Sequence, residues 1–249
     1  MTEPFDRIPT LIPGMDGLIE GGFPRGRTIL VTGATGTGKT IYAMQFIYNG
    51  AKKGEAGIYV TLDERASLVR EDMLRFGWDL EALEDQGLLS LVDGAVAKIG
   101  MPSEEKQALP PTGFDLDKLL LEVMRIAKKI NAKRCVIDSI PALGFNFETV
   151  NDVRKAALKL SFMLMRAGLT SILISEIEEG SRTFGRYGVE EFVADGVIVL
   201  HYMGTGTQSN RTLHIRKMRA TKHSEDLHPL EITSKGIRVK QIEEEFTKI

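Results

Sequence analysis

The sequence predicts an α/β fold in which a mainly parallel, twisted sheet is flanked by helices and carries antiparallel strands at its C-terminal edge. Two observations predict it. Short apolar, β-branched runs alternate with longer segments of helical periodicity, and beyond the last long helix strand-like runs follow one another directly. Strands separated by helices pair in parallel through right-handed crossovers, whereas strands joined by short connections pair antiparallel.

Six apolar runs indicate strands that are buried on both faces, because polar residues rarely interrupt them. They are TILVTG (28–33), AGIYVTLD (56–63), LLSLVDG (88–94), RCVIDSI (134–140), TSILISEI (170–177) and GVIVLHYM (196–203). Two later runs, RTLHIRKMRAT (211–221) and PLEITSKGIRVKQ (229–241), predict the antiparallel strands at the edge.

Four segments between these runs have helical spacing: Lys39 to about Lys53, 67–77, 114–130 and 151–168. In the third, the apolar positions recur every three or four residues, at Leu116, Leu119, Leu120, Val123 and Ile126. The polar, proline-containing stretch 98–115 predicts a loop. Because no repeat or long linker interrupts this order, we expect a single domain over 1–249, with a core of about 9–239 and a short acidic tail, 240–249.

Composition excludes several classes of protein. The chain has 249 residues and a net charge of −2, which argues against strong non-specific DNA binding. Its one cysteine, Cys135, cannot form an intramolecular disulfide or a multi-cysteine metal site, and we expect it in the core. No apolar run has membrane-spanning length and the N-terminus has no signal-peptide pattern, so we expect a cytoplasmic protein without a membrane partner.

The stretch GATGTGKT, Gly33 to Thr40, fits the phosphate-loop pattern between a predicted strand and a predicted helix. Glycines allow several backbone N–H groups to point at a triphosphate, and the helix N-terminus adds partial positive charge. Lys39 would reach the β- and γ-phosphates, and the Thr40 hydroxyl would bind Mg²⁺. The residues predicted to hold ATP or ADP here are Gly33, Ala34, Thr35, Gly36, Thr37, Gly38, Lys39, Thr40 and Ile41.

Carboxylates at two other strand ends complete the predicted catalytic group. Asp138 ends RCVID, where a parallel sheet places ligands beyond the carboxyl ends of its strands, and we assign it to Mg²⁺. Asp63 and Glu64 end GIYVTLDE, and one of them would orient the attacking water, with Lys39 as the third catalytic residue. The alternative is that Asp63 or Glu64 only caps the helix that begins near Arg65.

Several motifs in the same order resemble the KaiC-like branch of the RecA superfamily. They are GMDGLIEGGFPRGRTILVTGATGTGKT (14–40), FGWDL (76–80), RYGVEEFVAD (186–195) and KMRATKH (217–223), and the resemblance extends from about Pro9 to Val239. It implies a RecA-like phosphate-loop NTPase core that assembles as a ring, usually a hexamer, with ATP at each subunit interface.

The resemblance also implies further nucleotide contacts. Lys217, Met218, Arg219, Thr221 and His223 would contact the nucleotide held by the neighbouring subunit, with Lys217 and Arg219 acting like an arginine finger. Alternate residues on a strand share one face, so we expect Lys217, Arg219 and Thr221 to point together. The competing interpretation is a solvated basic strand edge.

For the adenine base and the ribose of the nucleotide, the resemblance implies contacts with other residues. The base would lie near Arg75, Phe76 and Trp78, although a lone Trp is more commonly core. Thr233 and Ser234 match positions near the ribose or phosphates across the interface.

Two departures from the family pattern affect the chemistry. The catalytic strand end here has Asp63 where a Glu pair is common, so either Glu64 orients the water or hydrolysis is slow. The segment GVEEFVAD (188–195) contains no Ser or Thr, and we expect no clock-type autophosphorylation.

Three functions remain open from the sequence. The first is a ring-forming, Mg²⁺-dependent ATPase that regulates or signals to an unidentified protein partner. The second is a nucleic-acid-handling ATPase of the RecA or RadA type, in which Arg182, Phe184, Arg186 and Tyr187 of EEGSRTFGRYG (178–188) line a pore; the alternative is that these arginines pair with Glu176, Glu178 or Glu179. The third is a nucleotide-locked assembly with almost no turnover.

Overall fold

A computed structural model describes residues 6–95, 97, 100–110, 115–146, 149–178, 181, 183–205 and 208–241. Within these residues lie a two-stranded ribbon and a nine-stranded sheet. The ribbon consists of β1 (Arg7–Ile8) and β2 (Phe23–Pro24). The sheet contains β3 (Thr28–Gly33), β4 (Gly57–Thr61), β5 (Leu89–Asp93), β6 (Arg134–Asp138), β7 (Thr170–Ile174), β8 (Gly196–Thr205), β9 (Gln208–Met218), β10 (Leu227–Thr233) and β11 (Gly236–Val239).

The sheet has the order β11-β10-β9-β8-β3-β7-β6-β4-β5. From β8 to β5 all neighbours are parallel, whereas β8, β9, β10 and β11 pair antiparallel. This arrangement confirms the predicted α/β class, with a mostly parallel sheet and antiparallel strands at one edge.

Helices cover both faces of the sheet. Their bounds are α1 (Lys39–Lys52), α2 (Ala66–Leu74), α3 (Leu80–Asp85), α4 (Leu116–Ile130), α5 (Val150–Arg166) and α6 (Glu190–Val193). The alternation along β3 shows how one strand serves two cores. Ile29 and Val31 pack with α1, while Leu30 points to the opposite face and packs with α4 and α5. Cys135 is a buried free thiol in the second core, as predicted.

The structure refines several predicted boundaries. The run 229–241 contains two strands rather than one, because β10 and β11 form a hairpin through Thr233 and Gly236. The short helix α3 has too few residues for a periodic pattern, but Asp79 caps it by accepting from the Ala82 amide at 2.9 Å. The described residues of the predicted loop 98–115 form no helix or strand except an isolated bridge between Asp93 and Ala108. Among the described residues, no helix is long and apolar enough to cross a bilayer.

The strand ends form two opposite borders of the sheet that matter for the site. We call them the phosphate-loop edge and the opposite edge, as distinct from the lateral edge that carries the antiparallel strands. The phosphate-loop edge is where β3, β4, β6 and β7 end, and β10 ends there as well. The opposite edge is where β8 begins and β9 ends, since Gly196 pairs with both Ile29 and Met218. From Ile29 to Gly33 the two edges are separated by roughly 13 Å of strand.

Candidate active site

The phosphate loop adopts a conformation that requires its glycines. Gly38 is the N-cap of α1 and has φ 100°, in the left-handed region that favours glycine. A Cβ on Gly33 would lie 2.2 Å from the Leu200 carbonyl oxygen, so the adjacent strand leaves no room for a side chain. The sequence motif is thus explained by backbone geometry.

Lys39 lies inside this loop. Its ammonium donates to the carbonyl oxygens of Gly33 at 2.9 Å and Ala34 at 3.0 Å. Burial lowers the pKa of Lys39, and the negative charges of Glu176 and Asp138 oppose that shift. The cation is therefore held among groups that a phosphate oxygen could replace.

Thr40 and Asp138 come together as predicted, although they lie 98 residues apart in the chain. The Thr40 hydroxyl donates to Asp138 Oδ2 at 2.9 Å, and the Tyr59 hydroxyl donates to the same oxygen at 2.6 Å. Burial raises the pKa of Asp138, while these two hydrogen bonds lower it. A carboxylate held this way is preorganised to accept positive charge.

The donor set fits Mg²⁺. Thr40 and Asp138 offer one hydroxyl and one carboxylate, which are hard oxygen ligands, and Mg²⁺ is usually held by one or two carboxylates plus substrate phosphates. No cluster of three or more His, Cys, Asp or Glu side chains suited to a metal occurs among the described residues. The arrangement therefore favours a cation shared with a phosphate ligand over a site built from protein alone.

The two acidic residues after β4 differ in their surroundings. Asp63 Oδ2 accepts from the Ser139 hydroxyl at 2.5 Å. Burial raises the pKa of Glu64, with smaller contributions from Asp72 and Asp138. Neither caps α2 in the expected way: the N-cap is Arg65, without a side-chain cap bond, and Asp93 Oδ2 accepts from the Ala66 amide at 3.4 Å.

These groups surround a cavity of about 500 Å³ at the phosphate-loop edge. Its lining includes most of the predicted loop residues and all three predicted acidic residues. The lining residues are Thr35, Gly36, Gly38, Lys39, Thr40, Ile41, Thr61, Asp63, Glu64, Val69, Asp138, Ser139, Ile174, Glu176, Arg211 and Ile232.

Sequence reasoning missed four polar contributors. Tyr59 and Ser139 orient the carboxylates, Glu176 lies at the end of β7, and Arg211 donates to the Gly36 carbonyl oxygen at 3.2 and 3.1 Å. Glu176 carried the one usable signal, because it follows a buried parallel strand just as Asp138 does.

The residues predicted to contact the adenine base and the ribose lie near the same edge but do not line the cavity. Arg75 is exposed at the C-terminus of α2. Trp78 is 4% exposed and stacks on Tyr48 with ring centroids 5.3 Å apart, so it is core, as the alternative interpretation held. Thr233 and Ser234 occupy the β10–β11 turn beside Ile232, which places them near the phosphate loop of their own chain.

The segment 217–223 lies at the opposite edge. Lys217 donates to the carbonyl oxygens of Glu191 at 3.1 Å and Ala194 at 2.6 Å, and burial lowers its pKa. Arg219 has a 59% exposed side chain, 3.6 Å from Asp195 Oδ1. Met218 is buried, and His223 bonds the Ser224 carbonyl oxygen through Nδ1 at 2.9 Å. None of the five predicted residues in this segment lines the cavity at the phosphate-loop edge.

One step of the sequence argument about this segment is wrong. β9 ends at Met218, three residues before the predicted end of the strand, and Ala220 has φ 55°. Strand alternation therefore does not place Arg219 and Thr221 on the face of Lys217. Lys217 and Arg219 are neighbours nevertheless, because both contact the segment 191–195.

The loop before α6 packs against the protein in its described part. Arg186 forms an ion pair with Glu178 at 2.5 Å, and the Tyr187 hydroxyl donates to the Pro141 carbonyl oxygen at 3.2 Å. The Arg216 guanidinium lies 5.5 Å from the Phe184 ring centroid. Arg182 and Glu179 lie outside the described residues. The contact of Arg186 matches the interpretation in which this arginine pairs with a glutamate.

Comparison with known proteins gives a consistent result. The family model described as "ATPase: KaiC" matches residues 8–244. A UPF0273 protein from Pyrococcus horikoshii is 40% identical over 94% of this chain and 93% of its own length. The circadian clock oscillator protein KaiC of Thermostichus vulcanus is 37% identical over 94% of this chain but 44% of its own length.

A solved structure agrees with these relatives. The crystal structure of a KaiC-like protein from the hyperthermophilic archaeon Pyrococcus horikoshii superimposes with a TM-score of 0.82 and 44% identity, over 96% of this chain and 100% of that one. With the phosphate loop, the adjacent carboxylates and the sheet order in place, the chain belongs to the KaiC-like ATPase family.

Proposed function

We propose that this chain binds ATP with Mg²⁺ and hydrolyses it to ADP and phosphate in the cytoplasm, as a ring of identical subunits with six members. Each nucleotide is shared between the phosphate-loop edge of one subunit and the opposite edge of the next. The ring acts as a regulatory or signalling module whose nucleotide state a protein partner reads.

The observation that carries this proposal is the separation of the two sets of charged residues. Lys39, Asp138 and Glu64 surround one cavity, whereas Lys217 and Arg219 lie beyond the other end of the same strands. Because Lys217 and Arg219 are separated from the phosphate loop of their own chain by the length of a strand, they cannot contact a phosphate bound at that loop. In a head-to-tail ring, one edge of each subunit faces the other edge of its neighbour.

At the phosphate-loop edge each residue has a defined task. Lys39 exchanges its carbonyl partners for β- and γ-phosphate oxygens, and the loop amides hold the remaining phosphate charge. Thr40 and Asp138 hold Mg²⁺, which when bound neutralises charge on the β- and γ-phosphates. Tyr59 keeps the Asp138 carboxylate oriented.

Glu64 is the group that orients the attacking water. Its pKa is raised by burial, which brings a carboxylate closer to the basicity that a general base needs at neutral pH. Asp63 supports the adjacent backbone, since its carboxylate accepts from Ser139 next to the metal-binding Asp138.

At the opposite edge, Lys217 and Arg219 complete the site of the neighbour. Arg219 is largely exposed and carries a fork of N–H donors suited to phosphate oxygens. Lys217 is held more tightly by carbonyl oxygens, which fixes the position of its charge. Such cations stabilise charge that develops on the transferred phosphoryl group.

Light scattering in solution tests this proposal. We expect the wild type to reach the mass of a hexamer with ATP and Mg²⁺, and Arg219→Ala to weaken the ring or abolish hydrolysis. Arg238→Ala, which removes an exposed cation on β11, is the matched control and leaves both unchanged. A protein that stays monomeric under all conditions contradicts the proposal.

The same samples test the other two functions. Binding of single-stranded DNA that falls steeply with salt would favour nucleic-acid handling, and the pairing of Arg186 with Glu178 predicts no such binding. Measurable turnover that disappears in Glu64→Gln with the ring intact excludes a nucleotide-locked assembly.

A further inference from the structure

We propose that Arg7 is a positioning residue for the half of the active site that each subunit gives to its neighbour. The proposal rests on the proposed function, since it assigns Arg7 the task of fixing the segment 219–224. In this role Arg7 touches no nucleotide and acts through Thr221 and the backbone of Arg219.

One guanidinium joins two distant parts of the chain. Arg7 Nη1 donates to the Thr221 hydroxyl at 3.0 Å and to the Gly22 carbonyl oxygen at 3.1 Å. Nη2 donates to the Ala220 carbonyl oxygen at 3.1 Å and to Glu20 Oε2 at 2.6 Å. The side chain is only 13% exposed, and the Nη1 bonds are partly buried, whereas the Nη2 bonds lie at the surface.

The hydrogen bonds continue to the proposed finger. The Thr221 hydroxyl, which accepts from Arg7, donates to the Arg219 carbonyl oxygen at 3.2 Å. Thr221 therefore uses its hydroxyl inside its own chain, and we assign it to the support of Arg219 rather than to direct contact with ATP.

Two backbone hydrogen bonds also anchor the segment 219–224, one on each side of the residues that Arg7 contacts. The Arg219 amide donates to the Asp195 carbonyl oxygen at 2.9 Å, and the Ser224 amide donates to the Leu18 carbonyl oxygen at 3.0 Å. Between them, Ala220 has φ 55°, a conformation that a residue with a Cβ keeps only when its surroundings hold it. The bond from Arg7 to the Ala220 carbonyl oxygen is such a restraint.

A lysine could not replace this arginine. The acceptors lie in different directions around the planar group, two of them in the segment 219–224 and the others in the segment 19–22. An ammonium has three donors on a flexible stem, whereas the guanidinium has five in a fixed fork.

Mixed rings test the proposal. We expect Arg7→Ala to lower turnover by about 10-fold to 100-fold, because misplacing a catalytic group by 1 Å has effects of that size. Arg7→Lys should recover little of the loss. Arg25→Ala is the matched control: it removes an arginine next to the same ribbon that pairs with Asp6 at 2.7 Å, and it should leave turnover unchanged.

The decisive step is to mix Arg7→Ala subunits with Glu64→Gln subunits. The first have an intact phosphate-loop edge and the second an intact opposite edge, so activity should return at interfaces that combine the two. A general folding defect in Arg7→Ala would damage both edges and prevent recovery, which would overturn the proposal. If Arg7→Ala does not fold, Thr221→Val removes the linking hydroxyl with little change of shape, and the same recovery is expected.

A parallel mixture separates this inference from the proposed function. If Arg219→Ala with Glu64→Gln recovers activity but Arg7→Ala with Glu64→Gln does not, the shared site stands and the role of Arg7 is wrong. If neither mixture recovers activity, the shared site is wrong and the inference falls with it.

Discussion

The two edges of the sheet carry charged residues in opposite arrangements. At the phosphate-loop edge the cation Lys39 is enclosed with carboxylates in a cavity, and its ammonium bonds two carbonyl oxygens. At the opposite edge Arg219 is 59% exposed and lies 3.6 Å from the Asp195 carboxylate. The phosphate-loop edge encloses its cation in a cavity, while the opposite edge presents a cation outward. We call them the enclosed edge and the exposed edge.

This difference supports the proposal that neither edge is a complete catalytic site on its own. The enclosed edge has a loop, a proposed metal-binding pair and a proposed base, and the arginine in its lining, Arg211, donates to the Gly36 carbonyl oxygen of the loop. The exposed edge presents Arg219, a cation of the kind that phosphoryl transfer uses to stabilise charge. Function in this protein is therefore expected to depend on contact between two chains.

The largest expected effect comes from the exposed edge. Arg219→Ala should lower turnover by about 10³-fold or more, since arginine fingers have effects of that size. Nucleotide binding at the enclosed edge should change little. Turnover and fluorescent nucleotide binding measure the two quantities, with Arg216→Ala as a neighbouring cation control; equal losses in both variants would argue against a specific finger.

The next effect belongs to the enclosed edge. Glu64→Gln should lower turnover by about 100-fold or more, because it removes the base and keeps the shape of the side chain. Asp63→Asn should have a smaller effect, since its partner is Ser139. Single-turnover hydrolysis compares the two variants, and a larger loss in Asp63→Asn would assign the base to Asp63 instead.

A smaller effect tests whether Tyr59 supports Asp138, the carboxylate proposed to bind Mg²⁺. Tyr59→Phe removes the donor to Asp138 and should raise the Mg²⁺ concentration for half-maximal turnover by about tenfold. Tyr42→Phe is the matched control, because among the described residues the Tyr42 hydroxyl is buried without a hydrogen-bond partner. An identical Mg²⁺ requirement in both variants would remove Tyr59 from the site.

The smallest effect is on pH dependence. Burial raises the pKa of Glu64 above its ordinary value of 4.5, and catalysis needs the ionised form. Turnover should therefore be present above the raised pKa and be lost as pH falls through it, before ordinary carboxylates titrate. A pH profile of kcat/KM measures this limb, and its persistence in the residual activity of Glu64→Gln would exclude Glu64 as its origin.

The sequence could indicate which residues meet at the enclosed edge because their signals are local. The spacing from Gly33 to Thr40 reflects backbone geometry within eight adjacent positions, and Asp138 ends an apolar run. Tyr59 and Arg211 were missed because they reach the site from strands whose pairing the local pattern does not specify. Which strand lies beside which depends on the order of the whole sheet.

The exposed edge was predicted only through the family resemblance. Strand periodicity failed there, because β9 ends at Met218 and the chain turns at Ala220. Arg7 gave no signal at all, since Thr221 lies 214 residues further along the chain and no local pattern connects them. Contacts between distant segments are fixed by tertiary packing.

The measurement that tests the shared site most directly is the turnover of rings mixed from equal amounts of Arg219→Ala and Glu64→Gln subunits. In a ring made of either variant alone, every interface combines one intact edge with one altered edge, so each variant alone should be inactive. With random mixing, about one quarter of the interfaces join two intact edges, so we expect about a quarter of wild-type turnover. A mixture no more active than its separate components would contradict a site shared between the two edges.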